Sequence, residues 1–253
     1  MEIDVHGISS IVIVGDFGSG KTEVAVNLCL QFASSEPRRP LAIADLDLVN
    51  PYFRCREARL PLEEAGVRVV MPSGGEQFAD LPILLPEVRG LLQDRGTLSV
   101  LDVGGDAAGA RVLASLASSF SPAGHVLWLV VNASRPFNDT RAGCLRTIRR
   151  IEDSTGLKVT GLISNTHLMG ETTPAMVMAG LVLAKEVASE LGIRVELLAA
   201  MEPIAQSFAQ PLAQFVNQYK VDCPLLSMKR IMVPPWLRRQ AGTPSRPPLG
   251  TIL

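Results

Sequence analysis

The run Ile11-Val12-Ile13-Val14 passes without a break into Gly15-Asp16-Phe17-Gly18-Ser19-Gly20-Lys21-Thr22, and no other stretch constrains the fold as tightly. Four β-favouring residues in a row read as a strand buried on both faces. The next eight fit the pattern G-x-x-x-x-G-K-[ST], and Lys21–Ser34 then carries helical spacing. A glycine-rich turn at such a joint lets several N–H groups converge on one point, where the positive end of the helix favours an anion. Lys21 is placed to reach β- and γ-phosphates. Thr22 has the hydroxyl that can ligate Mg²⁺, a hard cation that prefers oxygen. Gly15, Asp16, Phe17, Gly18, Ser19, Gly20, Lys21 and Thr22 are therefore the expected nucleotide cradle. The competing reading, a glycine-rich turn with a surface lysine, is disfavoured by the strand before it and the helix after it.

The rest of the chain continues the alternation. Apolar runs at Ser9–Val14, Leu41–Asp45, Val67–Met71, Leu98–Asp102, His125–Asn132, Lys158–Ser164 and Arg194–Ala199 read as strands. Segments of helical period fall at Lys21–Ser34, Leu85–Asp94, Gly109–Phe120, Asp139–Thr155, Pro174–Leu191 and Ala205–Tyr219. Thr173 before Pro174 and Gly192 after Leu191 mark one helix at both ends. The expectation is a single α/β domain, residues 1–232, with a mostly parallel central sheet of about seven strands and helices on both faces. Residues 233–253, rich in Pro, Gly, Ser and Arg, read as an extended tail.

In open parallel sheets ligands gather beyond the carboxyl ends of the strands, and two more strands end there in aspartate. Leu41-Ala42-Ile43-Ala44-Asp45-Leu46-Asp47 ends one; Leu98-Ser99-Val100-Leu101-Asp102-Val103-Gly104-Gly105 ends the other. Asp102 is the expected magnesium carboxylate. Gly104 and Gly105 let the backbone approach a γ-phosphate and move when it leaves. A strand-end turn or helix cap would explain either aspartate alone, but less readily beside a phosphate loop. The strand Gly161–Ser164 runs into Asn165-Thr166-His167-Leu168, where a nucleobase would sit. An aspartate in place of Leu168 could accept two hydrogen bonds from guanine; leucine accepts none, so Asn165 is read with adenine and ATP is favoured over GTP. His167 is read as structural.

The phosphate loop, Asp45-Leu46-Asp47 and Asp102-Val103-Gly104-Gly105 together resemble the MinD/ParA/CobQ group of phosphate-loop ATPases over about the first 200 residues. The resemblance implies that Asp45 helps hold magnesium through water, that Asp47 positions or activates the attacking water, and that residues 102–105 form a second switch. Asn50-Pro51-Tyr52-Phe53-Arg54 looks like a subfamily of uncharacterised ATP-binding members. Arg54 and Arg56 are candidates for phosphate or partner contacts, against a solvated helix start. The implied function is a Mg·ATP-binding, ATP-hydrolysing switch acting on an unidentified protein partner, with a nucleotide-dependent homodimer possible. Partition ATPases of the group carry a lysine early in the loop that reaches across a dimer, and here that position is Asp16. Either an arginine such as Arg54 substitutes or hydrolysis does not use that dimer. Dethiobiotin synthetase and cobyrinic acid diamide synthase also lack the lysine, which keeps open an ATP-dependent ligase acting on a small carboxylic acid. A sensor that binds ATP without turnover is a third reading.

Composition narrows the partners. A net charge of −1 over 253 residues gives no general attraction to polyanions, so nucleic acid is not expected. Pro234 and Pro235 interrupt the basic, Trp236-containing segment Met228–Arg239, which argues against a membrane-binding helix, and no apolar run approaches a bilayer span. Cys29, Cys55, Cys144 and Cys223 lie far apart and lack metal-ligand spacing. With no basic leader ahead of Ile11, the expected location is cytoplasmic.

Overall fold

The computed structural model describes residues 3–35, 39–47, 55–71, 81–209 and 222–232. Its centre is an eight-stranded sheet in the order β3-β2-β4-β1-β5-β6-β7-β8, every neighbouring pair parallel. The strands are β1 (Ser10–Val14), β2 (Leu41–Leu46), β3 (Val67–Val70), β4 (Leu98–Val103), β5 (His125–Val131), β6 (Gly161–Ser164), β7 (Arg194–Met201) and β8 (Leu225–Met228). The helices are α1 (Lys21–Ser34), α2 (Arg59–Glu64), α3 (Leu81–Gln93), α4 (Ala107–Leu116), α5 (Arg141–Thr155), α6 (Pro174–Leu191) and α7 (Glu202–Ala209), with a short 3-10 helix at Cys55–Ala58. This is the fold of a phosphate-loop NTPase, with one strand more than the patterning suggested.

The alternation of side chains along each strand decides what meets what. Ile11, Ile13, Ile43 and Val100 pack with Val24, Leu28, Cys55 and Leu62 of α1, the 3-10 helix and α2. Val12, Val14, Ala44, Leu101 and Leu129 face the other way, onto Leu91, Leu113 and Ile148 of α3, α4 and α5. Two covered faces are why the strands read as apolar runs rather than as alternating patterns. Burying side chains such as Ile11, Ile13 and Ile43 completely contributes on the order of 2 kcal/mol each.

Position along the strand then sets the site. Leu41, Ile43 and Asp45 share the α1 face of β2, as Leu98, Val100 and Asp102 share that of β4. The register puts Asp45 beside Asp102, and Asp102 beside Ile13 of β1. Two carboxylates are thus carried by strand geometry to the α1 face, at the edge from which the phosphate loop leaves. β1 lies in mid-sheet; the chain leaves it toward β2 on one side and later returns to β5 on the other, which is the crevice where such sheets bind ligands.

Helix ends follow local chemistry. Asp106, Thr140 and Thr173 accept from the N–H groups of Gly109, Gly143 and Met176, and Gly156 and Gly192 close α5 and α6 at positive φ. β8 and α2 were not expected. β8 is four residues following Pro224, and α2 is six residues containing Pro61 in a segment of weak period. α3 begins at Leu81 with Pro86 inside it, and α7 begins at Glu202, three residues before the expected start. The tail 233–253, the segment Asn50–Arg54, Trp236 and the remainder of the helix expected to reach Tyr219 lie outside the described residues.

Candidate functional site

Gly15–Gly20 forms the turn between β1 and α1, and three of its glycines answer to space or conformation. A Cβ on Gly15 would lie 2.6 Å from Ser19 Oγ and 3.0 Å from the carbonyl of Val130. Gly20 has φ +85° and no room beside Asn165; Gly18 has φ +77°. The N-cap of α1 is Gly20, which has no side chain to cap the first N–H groups, and Ser19 Oγ is buried without a hydrogen-bond partner. A helix start left open in this way is an anion site.

The loop is strapped from the β5 and β6 side. Asn165 Nδ2 donates to Ser19 O at 2.8 Å, and Arg135 Nε donates to Gly18 O at 3.2 Å. Asn132 accepts from the N–H groups of Ser134 and His167 and donates to His167 O at 3.2 Å, with Gly18 O at 3.5 Å. Asp16 turns its side chain away from the cradle. Its carboxylate accepts from Asn138 Nδ2 at 2.7 Å, from Thr147 Oγ1 at 2.9 Å and from Arg150. At the position where a lysine would reach out to a second copy, this chain has an anchor to α5. A nucleotide contact by Asp16 is therefore confined to its backbone.

Lys21, Thr22, Asp45, Asp47 and Asp102 are all buried on the opposite flank. Lys21 Nζ lies 3.8 Å from Asp47 Oδ2. Asp45 accepts from the backbone N–H of Asp47 at 3.1 Å and from Arg56 Nε at 2.6 Å. Burial raises the Asp45 pKa, and the Arg56 guanidinium opposes that rise. Asp102 is fully enclosed, with neither oxygen in a formed hydrogen bond. Burial pushes it up to about 7 although the nearby Lys21 ammonium pulls it down; Asp45 adds to the rise and the Thr22 hydroxyl opposes it. Gly104 packs against Asp47, and Gly105 against the carbonyl of Gly15 and the N–H of Phe17, so neither position tolerates a Cβ without displacement.

An orphaned buried carboxylate beside a threonine hydroxyl and a second carboxylate is an all-oxygen donor set, and it fits Mg²⁺. Among the described residues no group of three or more His, Cys, Asp or Glu could hold a metal by itself. Thr22, Asp45 and Asp102 are the residues that would hold Mg²⁺.

Beside the loop lies a cavity of about 350 Å³ between α1, the β6–α6 and β7–α7 connections and the segment after β8. Its walls include Asn165, His167, Met169, Met201, Ile204 and Met232. His167, expected as structural, lines this cavity and is driven down to about 4 by burial and by Arg135, so its imidazole is neutral at pH 7. Glu23 also lines the cavity, but its carboxylate accepts from the backbone N–H groups of Ile231 and Met232. Asn27 pairs with both the N–H and the C=O of Lys229. Asn132, Arg135 and the Glu23–Asn27 pair were not singled out from sequence. The signal available for Asn132 was that β5, like β6, runs into an asparagine at the same edge.

No protein-family model and no curated protein sequence matches the chain. Solved structures do. Cell division protein FtsY from Thermotoga maritima is 20% identical over 75% of this chain and 60% of its own, with a TM-score of 0.50. The signal recognition particle receptor FtsY from Elizabethkingia anophelis, in complex with GDP, is 18% identical over 75% and 56%, TM-score 0.49. A nucleotide-binding protein from Archaeoglobus fulgidus, in complex with ADP, is 16% identical over 89% and 96%, TM-score 0.47. The chain spans less than two thirds of the length of the two FtsY structures. Among the described residues no helix is long and apolar enough to cross a membrane. What the Thermotoga likeness establishes is the architecture: the parallel sheet of the phosphate-loop NTPase fold.

Proposed function

We propose that this chain is a Mg·ATP-binding and ATP-hydrolysing switch of the MinD/ParA type that regulates or assists a protein partner. The observation that carries the proposal is the convergence of Lys21, Thr22, Asp45, Asp47 and Asp102 at the open start of α1. Bound magnesium would supply positive charge to the phosphate oxygens, held by Thr22, Asp45 and Asp102. Lys21, released from Asp47 by a nucleotide, neutralises the β- and γ-phosphates. Asp47, against Gly104, orients the attacking water and takes its proton. Gly105, in contact with the loop, and Gly104, between Asp47 and Gly109, carry the presence or absence of the γ-phosphate to α4. The base end supports ATP: Leu168 accepts no hydrogen bond, and Glu23, which lines the cavity, is committed to backbone N–H groups.

The test is Asp47→Ala. Single-turnover phosphate release is expected to fall by roughly 100-fold while Mg·ATP affinity stays within about threefold. Unchanged turnover removes Asp47 from its role, and failure of the folded parent to bind any Mg-nucleotide in calorimetry removes the whole reading.

A second reading, an ATP-dependent ligase, is favoured by one feature. Behind Gly104 and Gly105 lies another cavity, about 430 Å³, lined by Val14, Gly15, Leu113, Arg111 and Arg150. With Arg150 paired to Asp16, it is the Arg111 guanidinium that suits a small carboxylic acid. ATP turnover that appears only when such an acid is supplied would select this reading.

A further inference from the structure

Asp45 is fully buried, and burial of a carboxylate is costly unless a counter-charge accompanies it. Arg56, on the 3-10 helix at Cys55–Ala58, supplies that charge through a 2.6 Å contact from Nε to Asp45 Oδ2. Only one arm of the guanidinium is used this way. The Arg56 Nη2 atom is also buried and has no hydrogen-bond partner. Such a group is built to make planar, two-point contacts with oxyanions, so a buried arm without a partner leaves a place for a second oxyanion. Asp45 lies directly beside Asp102 in the β2–β4 register and meets a backbone N–H with its other oxygen. The oxygen held by Arg56 is therefore the one the cation site must recover.

We propose that Arg56 is the resident counter-ion of the magnesium site, neutralising Asp45 in the empty protein and giving it up when Mg²⁺ and nucleotide bind. The inference rests on the assignment of Asp45 as a magnesium carboxylate. Arg56 then competes with the ion for one oxygen, and two positive groups at one carboxylate repel each other. Leaving Asp45, the Arg56 side chain turns its fork to another oxyanion such as a nucleotide phosphate, while Cys55 and Ala58 keep the 3-10 helix seated in the core. Lys21 and Asp47 repeat the arrangement at 3.8 Å, a second cation held on a carboxylate that the site needs.

The competition predicts an effect of unusual sign. A guanidinium that only assisted the phosphates would leave magnesium affinity unchanged or weaker when removed. For a competitor, removal strengthens it. The experiment is a Mg²⁺ titration of the full chain saturated with ADP, followed by calorimetry, for the parent, Arg56→Gln, Asp45→Asn and the double variant. Arg56→Gln is expected to bind Mg²⁺ roughly tenfold tighter, Asp45→Asn roughly tenfold weaker, and the double variant to match Asp45→Asn alone. Equal or weaker binding by Arg56→Gln, with Asp45→Asn still weakened, overturns the proposal but leaves the site assignment standing. Unchanged binding by Asp45→Asn overturns the assignment and the proposal with it. Should Arg56→Gln not fold, Arg56→Lys keeps a charge but loses the planar fork, and is expected to tighten Mg²⁺ about threefold; unchanged or weaker binding there counts against the proposal in the same way.

Discussion

On the flank of the phosphate loop that faces β5 and β6, Asn132, Arg135 and Asn165 tie the loop carbonyls down, and Asp16 collects three donors from α5 and the loop before it. On the flank that faces β2 and β4, Asp102 has no formed hydrogen bond, Arg56 has an idle arm, and Lys21 sits at 3.8 Å from Asp47. On the first flank the loop carbonyls and the Asp16 carboxylate are paired, although Asn138 Oδ1 has no partner; on the second flank the groups that face the cradle are left less complete. A polar group that is buried and unsatisfied costs stability, so a fold keeps it where a ligand will complete it. The difference separates what holds the cradle in shape from what senses its contents.

The comparison breaks most visibly at Asp102. Its ordinary pKa is 3.8, and burial places it near 7 in the folded chain. Between those values the folded state binds a proton that the unfolded state does not, so stability falls as pH rises from about 4 to about 7, and above 7 the loss is complete. Three units correspond to about 4 kcal/mol at most. Asp102→Asn removes the charge, and the nucleotide-free variant is expected to melt roughly 5 to 10 °C above the parent at pH 8. The two should coincide near pH 4, while Mg²⁺-dependent nucleotide binding by the variant weakens. Parallel melting curves at every pH would mean that Asp102 is already satisfied, and the two flanks would not differ as described.

Lys21→Ala comes next. A charge-assisted contact to phosphate is worth about 1.5 to 3 kcal/mol, so Mg·ATP affinity measured by calorimetry is expected to fall roughly 10- to 100-fold. Asp16→Asn probes the first flank. An amide cannot accept from all three donors, and the loss is expected to be about 1 to 3 kcal/mol in urea unfolding. The Arg150 pair contributes little of this, because that arginine is 61% exposed. The dependence of nucleotide affinity on Mg²⁺ should not change. If it does, the anchor and the sensor are one network, and the division between the flanks is wrong.

How legible each flank was follows from distance along the chain. Gly15–Thr22 is a local pattern, and Asp45 and Asp102 announce themselves by ending apolar strands, so the parallel sheet that brings them together could be read from periodicity. The caps Thr140, Thr173, Gly156 and Gly192 act within a few residues and left the same kind of trace. Asp16 instead finds Asn138, Thr147 and Arg150 at separations of 122, 131 and 134 residues. Nothing local distinguishes a carboxylate that anchors a loop from one that fails to bind phosphate. Glu23 and Asn27 likewise meet residues 229–232, more than 200 positions away, across β8, a strand too short to show a period. Patterns of period and capping are local; side-chain pairing between distant segments is not.

The smallest expected effect concerns the base. Glu23 and Asn165 are both spent on backbone groups, Asn165 through its Nδ2, so the cavity offers guanine no free carboxylate at its described base end. Leu168→Asp restores an acceptor in the β6–α6 connection, but the side chain there is 37% exposed, and water competes for every hydrogen bond it makes. The GTP-to-ATP affinity ratio, from competition against a fluorescent ADP analogue, is expected to rise only about threefold. A rise of 100-fold would place the base firmly against residue 168. No rise at all would move it deeper, among Met201, Ile204 and Met232, where an apolar wall sorts bases by shape and stacking rather than by hydrogen bonds. That second outcome ties nucleotide choice to the segment clamped by Glu23 and Asn27, and so to the same helix α1 whose first turn carries Lys21 and Thr22.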